Sequence, residues 1–98
     1  MAERRTIIFS GRVQGVGFRY TTVQLAQDLP LSGTVQNLPD GSVQLIAQGE
    51  PAAIEKLLDR LREHFEGHIR NVTQDRSPSP LPLRTGISAA AKGVQIIH

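Results

Sequence analysis

With 98 residues and a mass of 10.7 kDa, the chain has room for one compact domain, and two independent cores are excluded. Its composition, 39% hydrophobic and 20% charged with nine glycines and six prolines, is typical of soluble globular proteins and excludes collagen-like and disordered classes. The net charge of +2 excludes strong long-range attraction to nucleic acid, and the lack of cysteine excludes disulfides and cysteine-ligated metals.

The N-terminal residues carry no recognisable targeting signal. Residues 1–5 lead directly into an apolar run that is shorter than that of a signal peptide or a membrane span. We therefore expect a cytoplasmic monomer that binds neither membranes nor nucleic acid. The aromatic content of 4% leaves few rings for stacking on bases and predicts a core of Ile, Leu, Val and Ala.

The first third of the chain predicts a strand, a glycine loop and a helix. Residues 6–13, TIIFSGRV, are rich in β-branched side chains and predict the strand, and residues 14–17 form the loop. Over residues 18–29, apolar or small side chains recur at helical spacing, and Pro30 ends the helix. These side chains are Phe18, Thr22, Leu25, Ala26 and Leu29.

The middle of the chain predicts a hairpin and a second helix. Residues 34–38 and 42–48 are two strands joined by Pro39-Asp40-Gly41, which are residues of tight turns. Pro51 occupies a favourable first helical position, and an apolar stripe follows it. The stripe consists of Ile54, Leu57, Leu58, Leu61 and Phe65; the opposite face, interpreted as solvated, carries Glu55, Lys56, Asp59, Arg60, Arg62 and Glu63.

The last third predicts two strands and a long connection. Residues 68–74 form a strand whose apolar residues break strict alternation, which favours a bulge. The Pro-rich residues 75–93 predict an irregular connection, and residues 94–98 predict a closing strand. The order of elements predicts an α+β, ferredoxin-like βαββαβ sandwich over residues 1–98, with two helices on one face of an antiparallel sheet and an extra C-terminal strand.

The most informative motif is GRVQGVGFR, residues 11–19, in which a strand leads through a glycine loop into a helix. Free N–H groups at such a helix start attract phosphate or carboxylate, and the helix dipole adds to the attraction. Gly15 and Gly17 let the backbone close around an anion, and Arg19 adds a planar, charged fork. Neither standard nucleotide motif follows, which favours a small phosphorylated ligand. The residues alone equally allow a tight turn beside a surface arginine.

Asn37 stands at the end of a predicted strand, before the hairpin turn. Its amide can donate and accept hydrogen bonds and so hold a water molecule in a chosen orientation. The residues alone favour a local role instead, in hydrogen bonds to the backbone of the Pro-Asp-Gly turn.

The motifs GRVQGVGFRY at residues 11–20 and GTVQNLPDGSVQLIAQGE at residues 33–50 resemble the two signatures of the acylphosphatase family. The resemblance extends over residues 6–74 and implies hydrolysis of acyl phosphates, such as carbamoyl phosphate, to a carboxylate and inorganic phosphate without metal or cofactor. It implies catalytic roles for Arg19 and Asn37. The family's phosphate cradle of backbone N–H groups falls on Gly15, Val16, Gly17, Phe18 and Arg19. The long Pro-rich segment before the last strand departs from the family pattern.

Two functions other than hydrolysis are also compatible with a small α+β domain. One is a non-catalytic module of the same fold that binds phosphate or a phosphorylated partner. The other is an RNA-binding domain, which needs stacking aromatic side chains on the sheet, and Val43, Leu45 and Ala47 do not supply them.

A metal site is not expected. The three histidines, His64, His68 and His98, lack the spacing of zinc ligands and are interpreted as surface residues. For Arg12, on the strand before the glycine loop, the alternatives are help in binding phosphate and a structural or edge role, and its position on the strand favours the second.

Overall fold

The computed structural model describes residues 2–78 and 93–97. Its elements are β1 (Glu3–Gly11), α1 (Phe18–Ala26), β2 (Leu31–Asn37), β3 (Val43–Gly49), α2 (Pro51–His64), β4 (Ile69–Pro78) and β5 (Gly93–Ile97). The strands form one sheet in the order β4-β1-β3-β2-β5. The ferredoxin-like fold is thereby confirmed. The sheet is mixed rather than wholly antiparallel, because β5 lies parallel to β2.

The core lies between the helices and one face of the sheet. Alternate residues of β1 and β3 are buried, and their neighbours are partly exposed, as expected for strands covered on one face. The helices contribute their own apolar residues to the same cluster. Each large apolar side chain buried in this way stabilises the fold by about 1.5–3 kcal/mol.

Three aromatic rings form a continuous stack inside this core. The ring centroids of Phe9 and Phe18 are 5.0 Å apart, and those of Phe18 and Phe65 are 4.6 Å apart. The expected core of Ile, Leu, Val and Ala is therefore incomplete, since three of the few aromatic residues also lie within it. Because Phe18 is the first residue of α1, the stack fixes the start of the helix that follows the glycine loop.

The first strand begins at Glu3, earlier than the sequence predicts, because its charged residues find partners. The Arg5 side chain is fully buried and donates hydrogen bonds to Glu3, to Glu55 of α2 and, at 2.9 Å, to Gln74 of β4. Because the Glu55 side chain is 46% exposed, solvent weakens its ion pair with Arg5. The hydrogen bond from Arg5 lowers the pKa of Glu55. Glu55 therefore joins α2 to the sheet although its side chain remains about half exposed.

The first helix ends at Ala26 rather than Leu29. The chain then turns more tightly, with a 3.0 Å hydrogen bond from the Leu29 N–H to the Ala26 carbonyl oxygen. Arg60 of α2 donates to the Leu25 carbonyl oxygen and to Asp28, both at 2.7 Å. Arg60 is thus a second charged residue of α2 that joins elements instead of only facing solvent.

Strand β4 is longer than predicted. Residues 75–78, expected to be irregular, continue the strand because β4 pairs with β1 along its whole length. The register skips Arg70, between Ile69 and Asn71, which confirms the predicted bulge. The rest of the predicted irregular connection, residues 79–92, lies outside the described residues.

Strand β5 lies at the edge of the sheet, where Val94 pairs with Gly33 and Ile96 with Val35. Val94 is buried and Ile96 is partly buried against the core. The prediction that this strand joins the sheet is confirmed.

Deletion of residues 94–98 is expected to lower the melting temperature by roughly 10 °C or more. The deletion removes a buried valine and a row of backbone hydrogen bonds, and each 1 kcal/mol shifts the melting temperature of a domain of this size by about 4–8 °C. Thermal unfolding followed by circular dichroism measures the change. The control is Gln95→Ala, at an exposed position of the same strand. An unchanged melting temperature after deletion would contradict a stabilising role for β5.

Candidate active site

A cavity of about 170 Å³ lies where the loop after β1, the start of α1, the end of β2 and β5 meet. This volume is below the roughly 300–1,000 Å³ of sites for drug-sized ligands, so the cavity suits a small ligand. It is lined by Val13, Gly15, Gly17, Phe18, Arg19, Tyr20, Asn37 and Ile96. The fold thus brings Arg19 and Asn37, which are distant in sequence, to one cavity.

The two glycines of the loop adopt the left-handed backbone conformation. Gly15 has φ 78° and Gly17 has φ 79°, which other residues rarely adopt. A Cβ atom at either position would meet nothing within 4 Å. The conformation, and not crowding, therefore requires glycine, and the space beside the loop is open to a ligand.

Helix α1 begins immediately after this loop with free donors. Gly17 is its N-cap residue, no side chain among residues 2–78 and 93–97 caps the helix, and its first turn holds no acidic residue. The first N–H groups of a helix have no acceptor within the helix, and the positive end of the helix dipole lies there. The start of α1 is therefore suited to an anion.

Arg19 lies in the first turn of α1 and is partly buried. Its Nη1 atom donates to the carbonyl oxygen of Ile97 in β5 at 3.5 Å, a long hydrogen bond. Within residues 2–78 and 93–97, no carboxylate pairs with this guanidinium. Most of its donors are therefore available for the oxygens of a bound anion.

Asn37 ends β2 on the other side of the cavity. The hairpin turn that follows is closed by other groups. Asp40 accepts a 3.0 Å hydrogen bond from the Ser42 N–H, and the Leu38 N–H donates to the Ser42 carbonyl oxygen at 2.8 Å. The hydrogen bonds from Ser42 also lower the pKa of Asp40. Asp40 thus fills the local role that the sequence alone favours for Asn37, and Asn37 lines the cavity.

Sequence reasoning assigns no role to Gln14, which connects the two halves of the site. Its Nε2 atom donates to the carbonyl oxygen of Leu38 at 2.8 Å and to that of Ser42 at 2.9 Å. One side chain therefore joins the glycine loop to the hairpin that carries Asn37. The only sequence signal for Gln14 is its position inside the first motif.

Other candidate residues lie outside the cavity. The Val16 side chain is exposed and does not contribute to the lining. Arg12 is exposed and lies with His68 and Arg70 around a different cavity. His64 is exposed, and His98 lies outside the described residues.

Over residues 2–78 and 93–97, no group of three or more His, Cys, Asp or Glu side chains is placed to hold a metal ion. In the same part of the chain, no helix has the length and apolar character needed to cross a membrane.

These observations define a small α+β sandwich with a cavity between a glycine loop, a helix start and a strand end. The acylphosphatase family model matches residues 5–84, so the chain belongs to the acylphosphatase family. It is 49% identical over 73 residues to an acylphosphatase of Mycolicibacterium vanbaalenii, covering 74% of this chain and 78% of that protein. It is 46% identical over 69 residues to an acylphosphatase of Lactobacillus gasseri, covering 68% and 76%.

A solved structure agrees with these relatives. The crystal structure of acylphosphatase from Bacillus subtilis superposes with a TM-score of 0.78 at 29% sequence identity, and the match covers 100% of both chains. The match to this family classes the chain as a hydrolase.

Proposed function

We propose that this protein hydrolyses acyl phosphates to a carboxylate and inorganic phosphate. The N–H groups of residues 15–19 and the Arg19 guanidinium bind the phosphoryl group, and Asn37 orients the attacking water. The observation that carries the proposal is that the glycine loop, Arg19 and Asn37 line one cavity of phosphate-compatible size.

Charge stabilisation is the first requirement of the reaction. In phosphoryl transfer, the transition state carries its charge on three peripheral oxygens. The loop and helix-start N–H groups are fixed by the backbone, and Phe18 is held by the aromatic stack. These donors need little rearrangement during the reaction, which is the condition for strong electrostatic stabilisation. Arg19 adds a permanent positive charge and two parallel donors.

Water attack is the second requirement. The water oxygen forms a bond to phosphorus while the bond between phosphorus and the acyl oxygen breaks, and the electron pair leaves with the carboxylate. The protons of the water remain on the phosphate product. Asn37 holds the water in line by hydrogen bonds to its amide. A carboxylate, with a pKa of about 4, leaves without a proton. The reaction therefore needs no general acid, and the described residues that line the cavity include neither a carboxylate nor an imidazole.

The test of the proposed function is a paired assay in excess EDTA. We expect turnover of benzoyl phosphate and none of p-nitrophenyl phosphate, because the p-nitrophenolate leaving group of the ester is more basic than a carboxylate and needs more help than this lining supplies. We also expect no stimulation by magnesium or zinc, since the cradle and Arg19 neutralise the phosphoryl charge. The measurements are the release of inorganic phosphate and the decrease in the ultraviolet absorbance of benzoyl phosphate.

Two outcomes of this assay would contradict the proposal. Activity that EDTA abolishes and a metal restores would contradict metal-independent hydrolysis. Turnover of neither substrate, with phosphate still bound in calorimetry, would favour the non-catalytic phosphate-binding module.

A further inference from the structure

We propose that Tyr20, together with Ile96 of β5, forms an apolar wall that binds the acyl group of the substrate. The substrates preferred by this protein are then acyl phosphates with an aromatic or other apolar acyl group. The inference rests on the proposed function and adds the chemical class of the substrate.

The exposure of apolar side chains points to this part of the molecule. Over residues 2–78 and 93–97, two large hydrophobic side chains are exposed, Val16 (40%) and Tyr20 (63%). Both lie in or directly beside the loop and helix start that form the proposed phosphate cradle. Tyr20 also lies off the buried stripe of α1, so packing of the helix does not account for a tyrosine there. An apolar surface confined to the rim of a site is typical of ligand contact.

Tyr20 is placed where an acyl group must lie. It follows Arg19 directly and lines the same cavity. In an acyl phosphate, one bridging oxygen joins the acyl carbon to phosphorus, so a phosphoryl group held by the cradle puts the acyl group beside it. The side chains available to that group are apolar or aromatic, because Arg19 and Asn37 serve the phosphoryl group and the water.

The two side chains of the wall differ in how firmly they are placed. Gln24, one turn further along α1, donates from Nε2 to the Tyr20 hydroxyl oxygen at 3.0 Å, and this exposed hydrogen bond restrains the ring only weakly. Ile96 is partly buried against the core and so gives the wall its fixed side chain.

The charge of the lining supports an uncharged acyl group. Of the residues that line the cavity, Arg19 alone carries a formal charge, and the proposed mechanism uses it for phosphate. An acyl group with a second carboxylate or an ammonium group would leave water without gaining a partner, which disfavours its binding.

The test compares benzoyl phosphate with acetyl phosphate in the wild type, Tyr20→Ala and Tyr20→Phe. The compared quantity is the ratio of kcat/KM for the two substrates, which cancels their different intrinsic reactivity between variants. We expect Tyr20→Ala to lower this ratio about tenfold, mainly through the KM for benzoyl phosphate, because the benzoyl ring loses its aromatic contact and the small methyl group loses less. Tyr20→Phe keeps the ring and should keep the ratio within about twofold.

Each outcome has a distinct meaning. Tyr20 is exposed, so both variants should fold, and circular dichroism checks this. The inhibition constant of inorganic phosphate should change little in either variant, because the ring is proposed to contact the acyl group. If kcat/KM of folded Tyr20→Ala fell equally for both substrates, or did not fall, the proposal of an apolar wall would be overturned and the proposed function would be unaffected. Hydrolysis of neither substrate by the wild type would overturn both proposals.

Discussion

Replacement of Arg19 by lysine is expected to lower kcat/KM for benzoyl phosphate by about 10³-fold or more. Lysine keeps one positive charge but loses the planar pair of donors that matches two phosphoryl oxygens. An arginine that stabilises phosphoryl-transfer charge contributes about 10³–10⁵ in rate. Because the same donors hold the phosphate product, the inhibition constant of inorganic phosphate should rise as well.

Steady-state kinetics with phosphate as a competitive inhibitor measures both effects of Arg19→Lys. The matched control is Arg12→Lys, because Arg12 is exposed and lies beside a different cavity. We expect the control to keep activity within about twofold. If folded Arg19→Lys protein bound phosphate as tightly as the wild type, the proposed role of Arg19 would be wrong.

Replacement of Asn37 by alanine should separate turnover from phosphate binding. The cradle and Arg19 remain, so inhibition by inorganic phosphate should persist at nearly the same concentration. The kcat should fall by about 10²–10³-fold, by analogy with the loss of one preorganised hydrogen-bonding group in other enzymes. The difference between these two responses distinguishes a group that orients water from one that binds the phosphoryl group.

The control for Asn37→Ala is Asn71→Ala, the same change at an exposed position of β4. Strand β4 is at the opposite edge of the sheet from β5, which lines the cavity. Single-turnover and steady-state rates should both report the defect of Asn37→Ala, and circular dichroism shows whether it folds. Full turnover by the folded variant would rule out Asn37 as the residue that positions water.

The fold followed from sequence wherever side-chain spacing determines burial. The apolar stripe of α2 predicts both the helix and its buried face, and Pro51 predicts its start. The ends of β1 and β4 were missed because they depend on partners. Arg5 looks like a solvent-exposed residue in sequence, and its contacts with distant partners, Glu55 and Gln74, help to bury it in a strand. Local spacing carries no information about such long-range pairs.

The candidate site depended on resemblance more than on spacing. From the residues alone, Arg19 could be a surface arginine, and Asn37 was better explained by the turn. The structure supports a joint role for Arg19 and Asn37, because both line one cavity. It also shows that Asp40 accepts the hydrogen bond within the turn that the sequence favours for Asn37. Ile96 could not be assigned from sequence, since nothing local shows that β5 would lie beside β2 and reach the cavity.

The hydrogen bonds of Gln14 bear on how this protein can vary during evolution. Both acceptors, at Leu38 and Ser42, are backbone carbonyl oxygens, which every amino acid possesses. The connection therefore depends on the shape of the hairpin turn, which the Asp40 side chain and Gly41, with φ 94°, maintain. The side chain at position 39 makes no hydrogen bond among the described residues, so it is freer to change than Asp40. A change at position 39 that preserves the turn then leaves the spacing between the glycine loop and Asn37 unchanged.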